Sequence, residues 1–139
     1  MFWKKEPSEV EVINDMDKDI ADSYRFIKQV TEDQVSRLEK RKWDADKELF
    51  FRLLNSSPSD LVDKFYKFAY TNHHSYGTSR KTFGYKPNAS RIYNRLIRMK
   101  PRLEKTIIRS SDYKEIVKEF DSPDTFFYFD PPYPGEWPG

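Results

Sequence analysis

The residues with the clearest chemical potential are Asp130, Pro131, Pro132 and Tyr133, which follow an apolar run late in the sequence. Proline fixes its own backbone and has no N–H, so a carboxylate and a backbone carbonyl can be held rigidly together here. Two acceptors at close range suit a group with two N–H donors, such as the exocyclic amine of a nucleobase flipped out of its helix. The Tyr133 ring offers an aromatic face to such a flat molecule. The alternative for so short a motif is a proline-rich turn with a surface carboxylate.

Three segments have the composition of short β-strands, and each is followed by a carboxylate. They are residues 9–14 before Asp15, residues 106–109 before Asp112, and residues 125–129 before Asp130. Helical patterns lie between them, and strands that alternate with helices predict an α/β fold with a parallel sheet. Ligands of such sheets bind at the carboxyl ends of the strands, so the three carboxylates indicate one site.

The segments between the first two strands carry signals of helices and turns. In chain order they are an apolar face at Ile20, Tyr24 and Ile27; a capping box at Thr31 and Gln34; an apolar stripe in residues 49–54; a helix start at Ser57 and Pro58; a loop or short hairpin over residues 71–88; and a helix with Ile92, Leu96 and Met99 that Pro101 ends or kinks. We therefore predict a largely helical connection between the strands.

Charge is distributed unevenly along the chain. Residues 64–103, which we call the basic segment, contain ten Lys or Arg and no Asp or Glu, whereas the flanking parts carry a net charge of −4 each and the whole chain +2. A long segment without one carboxylate is typical of surfaces that bind polyanions, and its tyrosines could stack on bases. The alternative is a solvated helix face that is rich in lysine.

Composition narrows the class of protein further. The chain has no cysteine, which excludes disulfides and thiolate metal sites, and no long apolar run, so we expect a cytoplasmic protein without a membrane span. An aromatic content of 17% argues against disorder. His73 and His74 are adjacent and have no carboxylate nearby in sequence, so we interpret them as loop or DNA-contact residues and predict no metal site.

Two stretches of the chain are specific enough to compare with known families. Residues 10–27 read V-E-V-I-N-D-M-D-K-D-I-A-D-S-Y-R-F-I, and residues 122–137 read S-P-D-T-F-F-Y-F-D-P-P-Y-P-G-E-W. Both resemble the Dam-like family of DNA adenine methyltransferases, which move a methyl group from S-adenosylmethionine to the amino nitrogen of adenine. The stretch F-G-Y-K-P-N-A-S-R at residues 83–91 falls in the family's order, so the resemblance spans nearly the whole chain.

The resemblance implies roles for the residues of the C-terminal motif. Asp130 and the Pro131 carbonyl would accept hydrogen bonds from the amino group of the flipped adenine, and Pro132 would complete the rigid corner. Tyr133 would stack on the base. The transfer would be direct, without a covalent intermediate or a metal.

The resemblance also implies a site for S-adenosylmethionine. Asp15 would hold the ribose hydroxyls of this cofactor, and Met16 would pack on its adenine, which Asp112 and Tyr113 would flank. From the residues alone, Asp15 and Asp112 could equally be acids that favour the start of a helix.

The fold implied by the resemblance is a partial Rossmann-like methyltransferase sheet interrupted by an inserted DNA-recognition domain. Residues 1–30 and 104–139 would form the partial catalytic domain, and residues 31–103 the helical, basic insert that binds double-stranded DNA. The DNA contacts would come from Arg80, Lys81, Lys86, Arg91 and Arg95.

The sequence departs from the family in its glycines. Family members bind the cofactor with a glycine-rich loop after a strand preceding the one at residues 9–14, whereas the four glycines of this chain begin with Gly77. Strands that normally complete the sheet are also absent. We therefore expect a fragment, or one part of a split enzyme whose complementary chain supplies the glycine-rich segment, with weak activity of the isolated chain.

Two other functions are compatible with the same residues. The chain could be a non-catalytic DNA-binding remnant in which only the basic segment functions. It could also methylate RNA or protein, because the shape of the pocket rather than the motif selects the acceptor. A role in restriction–modification, in a phage or in housekeeping methylation is equally open.

Overall fold

A computed structural model describes residues 2–86 and 92–130 of the chain. Its elements are β1 (Glu11–Asn14), α1 (Lys18–Gln29), α2 (Glu32–Glu39), α3 (Lys47–Leu54), α4 (Leu61–His73), α5 (Ile92–Ile97), α6 (Lys100–Leu103), β2 (Thr106–Arg109) and α7 (Tyr113–Phe120). Short 3-10 turns occur at Phe2–Lys4 and Tyr76–Thr78. None of the helices in these two ranges has the length and apolar character that crossing a bilayer requires.

The strands β1 and β2 form a parallel pair. Glu11 lies opposite Thr106 and Asn14 opposite Arg109, and the N–H of Asp15 extends the ladder by donating to the Arg109 carbonyl at 3.2 Å. The connection between the strands runs through α1 to α6, as expected for parallel strands that need a crossover. The predicted mixture of helices with a small parallel sheet is thus confirmed for these two strands.

The third predicted strand is wrong for the residues that the structure describes. Residues 125–130 form no strand, and the sheet described has two strands, β1 and β2. Phe126, Tyr128 and Phe129 are exposed, with Phe126 at 74%. A high β-propensity expresses how well a side chain fits a paired, half-buried surface, and no described strand provides such a partner. The aromatic composition of this segment therefore did not suffice to form a ladder.

Helix starts depend on which side chain reaches the free N–H groups of the first turn. The capping box predicted at Thr31 and Gln34 is present, with both reciprocal hydrogen bonds. The start predicted at Ser57 and Pro58 is wrong, because Asp60 caps α4. Its Oδ2 accepts from the N–H groups of residues 62 and 63 at 3.0 and 3.2 Å. One carboxylate thereby satisfies two donors that would otherwise need water.

The helix predicted around Leu96 is broken before Pro101, as expected. The N–H of Met99 donates to the Leu96 carbonyl, which tightens the end of α5, and Pro101 lies in the first turn of α6. Proline is tolerated there because the first-turn N–H groups have no partner within the helix. This break gives the chain a change of direction just before β2.

The core is formed mainly by aromatic side chains between the helices. Phe50 and Tyr70 are completely buried, and Phe26 of α1 stacks on Phe65 of α4 with ring centroids 4.5 Å apart. Ile27 of α1 and Leu103 of α6 belong to the same cluster. The helix that follows β1 therefore packs directly on the helices of residues 31–103.

The interpretation of His74 as a loop residue is confirmed, because it lies in a turn, whereas a DNA contact is wrong for this side chain. His74 is completely buried, its Nε2 donates to the Trp43 carbonyl at 2.8 Å, and burial lowers its pKa. It lies just after α4, which extends through His73 into the predicted loop. The short hairpin predicted nearby is present as an antiparallel bridge between Ser75 and Phe83.

Tyr70 provides a test of this core. Its hydroxyl donates to the Asp44 carbonyl at 2.7 Å and accepts from the N–H of Asp46 at 3.0 Å. Tyr70→Phe leaves both groups without this partner, so we expect a loss of about 1–2 kcal/mol in the free energy of unfolding, measured by urea denaturation. Tyr76→Phe is the matched control, because Tyr76 is 70% exposed. An equal effect of both substitutions would contradict the prediction.

Candidate functional site

The carboxyl ends of the two strands are tied together by one side chain. Asn14, the last residue of β1, donates from Nδ2 to the Ser111 carbonyl at 2.8 Å, and its Oδ1 accepts from the Ser111 N–H at 2.9 Å. This pair of bonds fixes the loop after β2 beside the loop after β1. The sequence reasoning missed Asn14, although its position as the last strand residue before Asp15 was a usable signal.

Asp15 and Met16 lie in the loop directly after β1. Asp15 Oδ1 accepts from the N–H of Asp17 at 2.8 Å, and Met16 is 71% exposed. Burial, with a smaller contribution from the Asp15 carboxylate, raises the pKa of the Tyr24 phenol. A carboxylate has about four acceptor sites, so one backbone donor leaves Asp15 able to bind further hydroxyl groups.

Asp112 and Tyr113 lie at the start of α7. Asp112 caps the helix by accepting from the N–H of Lys114 at 2.8 Å, which is the structural alternative considered for this residue. Tyr113 is 54% exposed, and its ring meets that of Phe129 edge to face with centroids 5.8 Å apart. This contact brings the segment before Asp130 to the same edge as the loop after β2.

The C-terminal motif lies only partly within the described residues. Asp130 is exposed, whereas Pro131, Pro132 and Tyr133 lie outside them. The turn that leads from α7 toward Asp130 is held by Thr125, whose Oγ1 donates to the Phe120 carbonyl at 2.6 Å. The roles of Asp130, Pro131, Pro132 and Tyr133 in binding the acceptor base therefore stay predictions.

The predicted DNA-contact residues have different surroundings. Lys81 and Arg95 are exposed, Lys86 is half-buried, and Arg91 lies outside the described residues. Arg80 forms an ion pair with Asp17 and lies 3.4 Å from Asp19. The structure thus presents two of these cations to solvent and directs a third toward the start of α1.

Two clefts lie among the helices. The larger, of about 940 Å³, is lined by residues of α1, α2 and α4, including Phe26, Phe65 and Lys64. The smaller, of about 470 Å³, is lined by residues of α3 and α4. Neither is lined by Asp15, Asp112 or Asp130, and the larger is also lined by Asp19 and Arg80. Among the residues that the structure describes, no three His, Asp or Glu side chains are grouped to hold a metal ion.

A comparison with known protein families identifies the class of protein to which this chain belongs. Residues 1–137 match the family of D12 class N6 adenine-specific DNA methyltransferases. Because the match covers nearly the whole chain, the chain belongs to this family, and the resemblance drawn from the residues is confirmed. Searches of curated proteins and of solved structures found no match.

Enzymes of this family use S-adenosylmethionine, and the residues at the sheet edge suit part of this cofactor. Asp15 keeps acceptor capacity for hydroxyl groups, and the exposed thioether of Met16 beside it is an apolar surface for a flat ring. The hydrogen bonds between Asn14 and Ser111 hold the loop that contains Asp112 beside the loop that contains Asp15. These acceptor and apolar groups therefore fit the nucleoside end of the cofactor.

Proposed function

We propose that the chain is a site-specific DNA adenine-N6 methyltransferase, or a fragment of one, that transfers a methyl group directly from S-adenosylmethionine to a flipped adenine. The observation that carries this proposal is the family match over residues 1–137. The paired strands support it, because they bring the loops that contain Asp15 and Asp112 to one edge. This is the edge at which ligands of parallel sheets bind.

The proposed chemistry depends on acceptors aimed at an amino group. When bound, S-adenosylmethionine supplies an electrophilic methyl group on its sulfonium sulfur. The Asp130 carboxylate and the Pro131 carbonyl accept both N–H bonds of a flipped adenine, which raises the electron density on its nitrogen. Tyr133 stacks on the base and keeps the nitrogen lone pair aligned. The amino nitrogen would take the methyl group as the sulfur–carbon bond breaks, so the sulfur would leave as a neutral thioether and the excess amino proton would pass to water.

We further propose a division of labour along the chain. Residues 1–30 and 104–139 form the partial catalytic domain, and residues 31–103 recognise double-stranded DNA. The basic segment supports this, since it has no carboxylate and presents Lys81 and Arg95 to solvent. Phosphate contacts of this kind set affinity, whereas a few contacts to base edges set sequence.

Transfer of labelled methyl from S-adenosylmethionine to duplex DNA tests the proposed reaction. The control duplex has the same sequence with every adenine already methylated at N6. Label on the first duplex alone supports the proposal, and label on both would exclude adenine N6 as the acceptor. Transfer that needs a second polypeptide with a glycine-rich loop would support the split-enzyme alternative.

The second candidate function is a non-catalytic DNA-binding module. The charge of the basic segment favours it, because neutralising phosphates releases counterions without any chemistry at the sheet edge. DNA binding that is sensitive to salt, with no methyl transfer under any of the conditions above, would support this function.

The exposed cations predict a measurable salt dependence of DNA binding. The double substitution Lys81→Gln with Arg95→Gln removes two phosphate contacts, so the slope of log K against log salt should fall by about 2. Fluorescence anisotropy with a labelled duplex at several salt concentrations measures this slope. Lys40→Gln is the control, since Lys40 is exposed but lies outside the basic segment. An unchanged slope in the double variant would place the DNA elsewhere.

A further inference from the structure

Arg80 has a backbone conformation that side-chain-bearing residues rarely adopt. Its φ is 57°, and within residues 2–86 and 92–130 no other non-glycine residue has a positive φ. This left-handed region is sterically disfavoured for L-residues, and outliers of this kind cluster at functional sites. This conformation costs free energy, and the contacts of the Arg80 side chain offset that cost.

The loop that carries Arg80 is anchored to the buried core. His74 and Ser75 are completely buried, and Ser75 Oγ accepts from the N–H of Arg80 at 3.1 Å. The N–H of Gly84 donates to the His74 carbonyl at 2.8 Å and closes the loop. The guanidinium carbon also lies over the Phe68 ring, 5.1 Å from its centroid. The loop backbone is thus held by Ser75 and by the Gly84–His74 hydrogen bond, and the guanidinium itself lies against Phe68, all outside α1.

The guanidinium reaches both carboxylates at the start of α1. Its Nη2 pairs with Asp17, and its Nη1 lies 3.4 Å from Asp19 Oδ2. The Arg80 side chain is only 24% exposed, so solvent and salt screen this interaction less than they screen an open surface pair. A rigid, planar fork of donors is suited to two neighbouring carboxylates in a way that a lysine is not.

Asp17 connects these ion pairs to Asp15. Its N–H donates to Asp15 Oδ1 at 2.8 Å, while its own Oδ1 caps α1 by accepting from the N–H of Asp19 at 3.0 Å. Arg80 takes the other carboxylate oxygen of Asp17. Because the Asp17 side chain is held from two directions, its N–H stays directed at Asp15. These contacts form a relay, which runs from the buried core through Arg80 and Asp17 to Asp15 at the edge of the sheet.

We propose that Arg80 is a positioning residue that holds the Asp15 carboxylate, through Asp17, in the orientation that receives the ribose hydroxyls of the cofactor. The cofactor role of Asp15 rests on the proposed function, whereas the contacts that link Arg80 to Asp15 do not. This positioning role is one that a DNA contact does not include. Arg80 would thereby connect the basic segment, to which it belongs, to the edge of the sheet that contains Asp15.

Residue-resolved amide hydrogen exchange by NMR tests the relay directly. In Arg80→Ala and Arg80→Gln we expect the Asp17 N–H to exchange about 5- to 10-fold faster than in the wild type, since a charge-assisted contact that holds it is lost. Arg80→Lys keeps the charge without the fork and should restore only part of the protection. Arg80→Gln also retains the length of the side chain, so it reports on the relay even if Arg80→Ala folds poorly.

Arg37 offers a matched control within the same chain. It pairs with Asp60, the N-cap of α4, at 2.9 Å, just as Arg80 pairs with the N-cap of α1. Arg37→Ala should therefore loosen the N–H groups of residues 62 and 63 and leave that of Asp17 unchanged. Exchange at Asp17 that is equal in the wild type and in Arg80→Gln would overturn the proposal.

Binding of S-adenosylmethionine, measured by calorimetry without DNA, is the second measurement. Arg80→Gln should raise the Kd about 5-fold and Arg37→Ala should not, whereas a residue that contacts only DNA would have no effect here. An unchanged Kd in Arg80→Gln would overturn the proposal. If the wild type binds no cofactor while the Asp17 N–H still responds to Arg80, the relay stands, and the part of the proposed function that fails is cofactor binding by this chain alone.

Discussion

Asp130→Ala is expected to reduce methyl transfer to adenine by on the order of 100- to 1000-fold while leaving the affinity for duplex DNA unchanged. Under the proposed function, the lost carboxylate accepts from the amino group during transfer, where one preorganised polar contact has an effect of this size. Asp130 is exposed in the free protein, so its removal costs little stability. Single-turnover transfer of labelled methyl, with DNA affinity measured in parallel, separates the two effects.

The control for this substitution is Asp124→Ala. Asp124 is an exposed carboxylate in the same C-terminal segment, but it lies in the turn after α7 rather than in the motif. Its removal changes the net charge by the same amount and should leave transfer within about 2-fold of the wild type. Equal, measurable transfer by Asp130→Ala and the wild type would exclude Asp130 from the reaction. No transfer by either protein, with DNA binding retained, would favour the DNA-binding module.

Glu11→Ala is expected to cause a large loss of stability, about 3–5 kcal/mol. The Glu11 side chain is only 7% exposed, and it accepts from Arg102 through both carboxylate oxygens, from Lys5, and from the N–H of Ser8 at 3.1 Å. It thereby joins β1 to α6 and to the N-terminal segment. Its removal leaves Arg102 partly buried without its counter-charge. Urea denaturation measures the change.

The same carboxylate predicts how stability depends on pH. The hydrogen bonds from Arg102, with further help from Lys5 and Ser8 against the opposing effect of burial, lower the pKa of Glu11 from 4.5 to about 2. A depressed pKa stabilises the fold above the unfolded-state pKa. The contribution should therefore be complete above about pH 5 and be lost as the pH falls toward 2. With an allowance for solvent screening, we expect a loss of about 2 kcal/mol over this range.

Two controls isolate the Glu11 interaction. Glu9→Gln changes an exposed carboxylate two residues away and should neither destabilise the fold nor alter its response to acid. The double substitution Glu11→Gln with Arg102→Gln removes both charges, so it should be less destabilising than the sum of the single changes. Additive effects, or an acid response that persists in Glu11→Gln, would contradict the assigned role.

Features determined by neighbouring residues could be predicted from the sequence alone. The two strand segments at residues 11–14 and 106–109, the α1 pattern, the capping box at Thr31 and the break before Pro101 all follow from side-chain periodicity or from backbone chemistry within a few residues. The motif at Asp130 and the stretch after Val10 were specific enough to indicate the family, which the match over residues 1–137 confirms. These features depend little on the rest of the fold.

Tertiary structure decided the features that depend on distant partners. The aromatic segment at residues 125–129 forms no strand, because a strand needs a neighbour to pair with, and propensity cannot supply one. His74 is buried because Trp43 provides a carbonyl for its ring. Arg80 holds Asp17 from 63 positions away, and Asn14 holds Ser111 from 97 positions away. The sequence therefore determined the chemistry that the chain carries and its family, whereas packing between remote residues decided which side chains meet at the edge of the sheet.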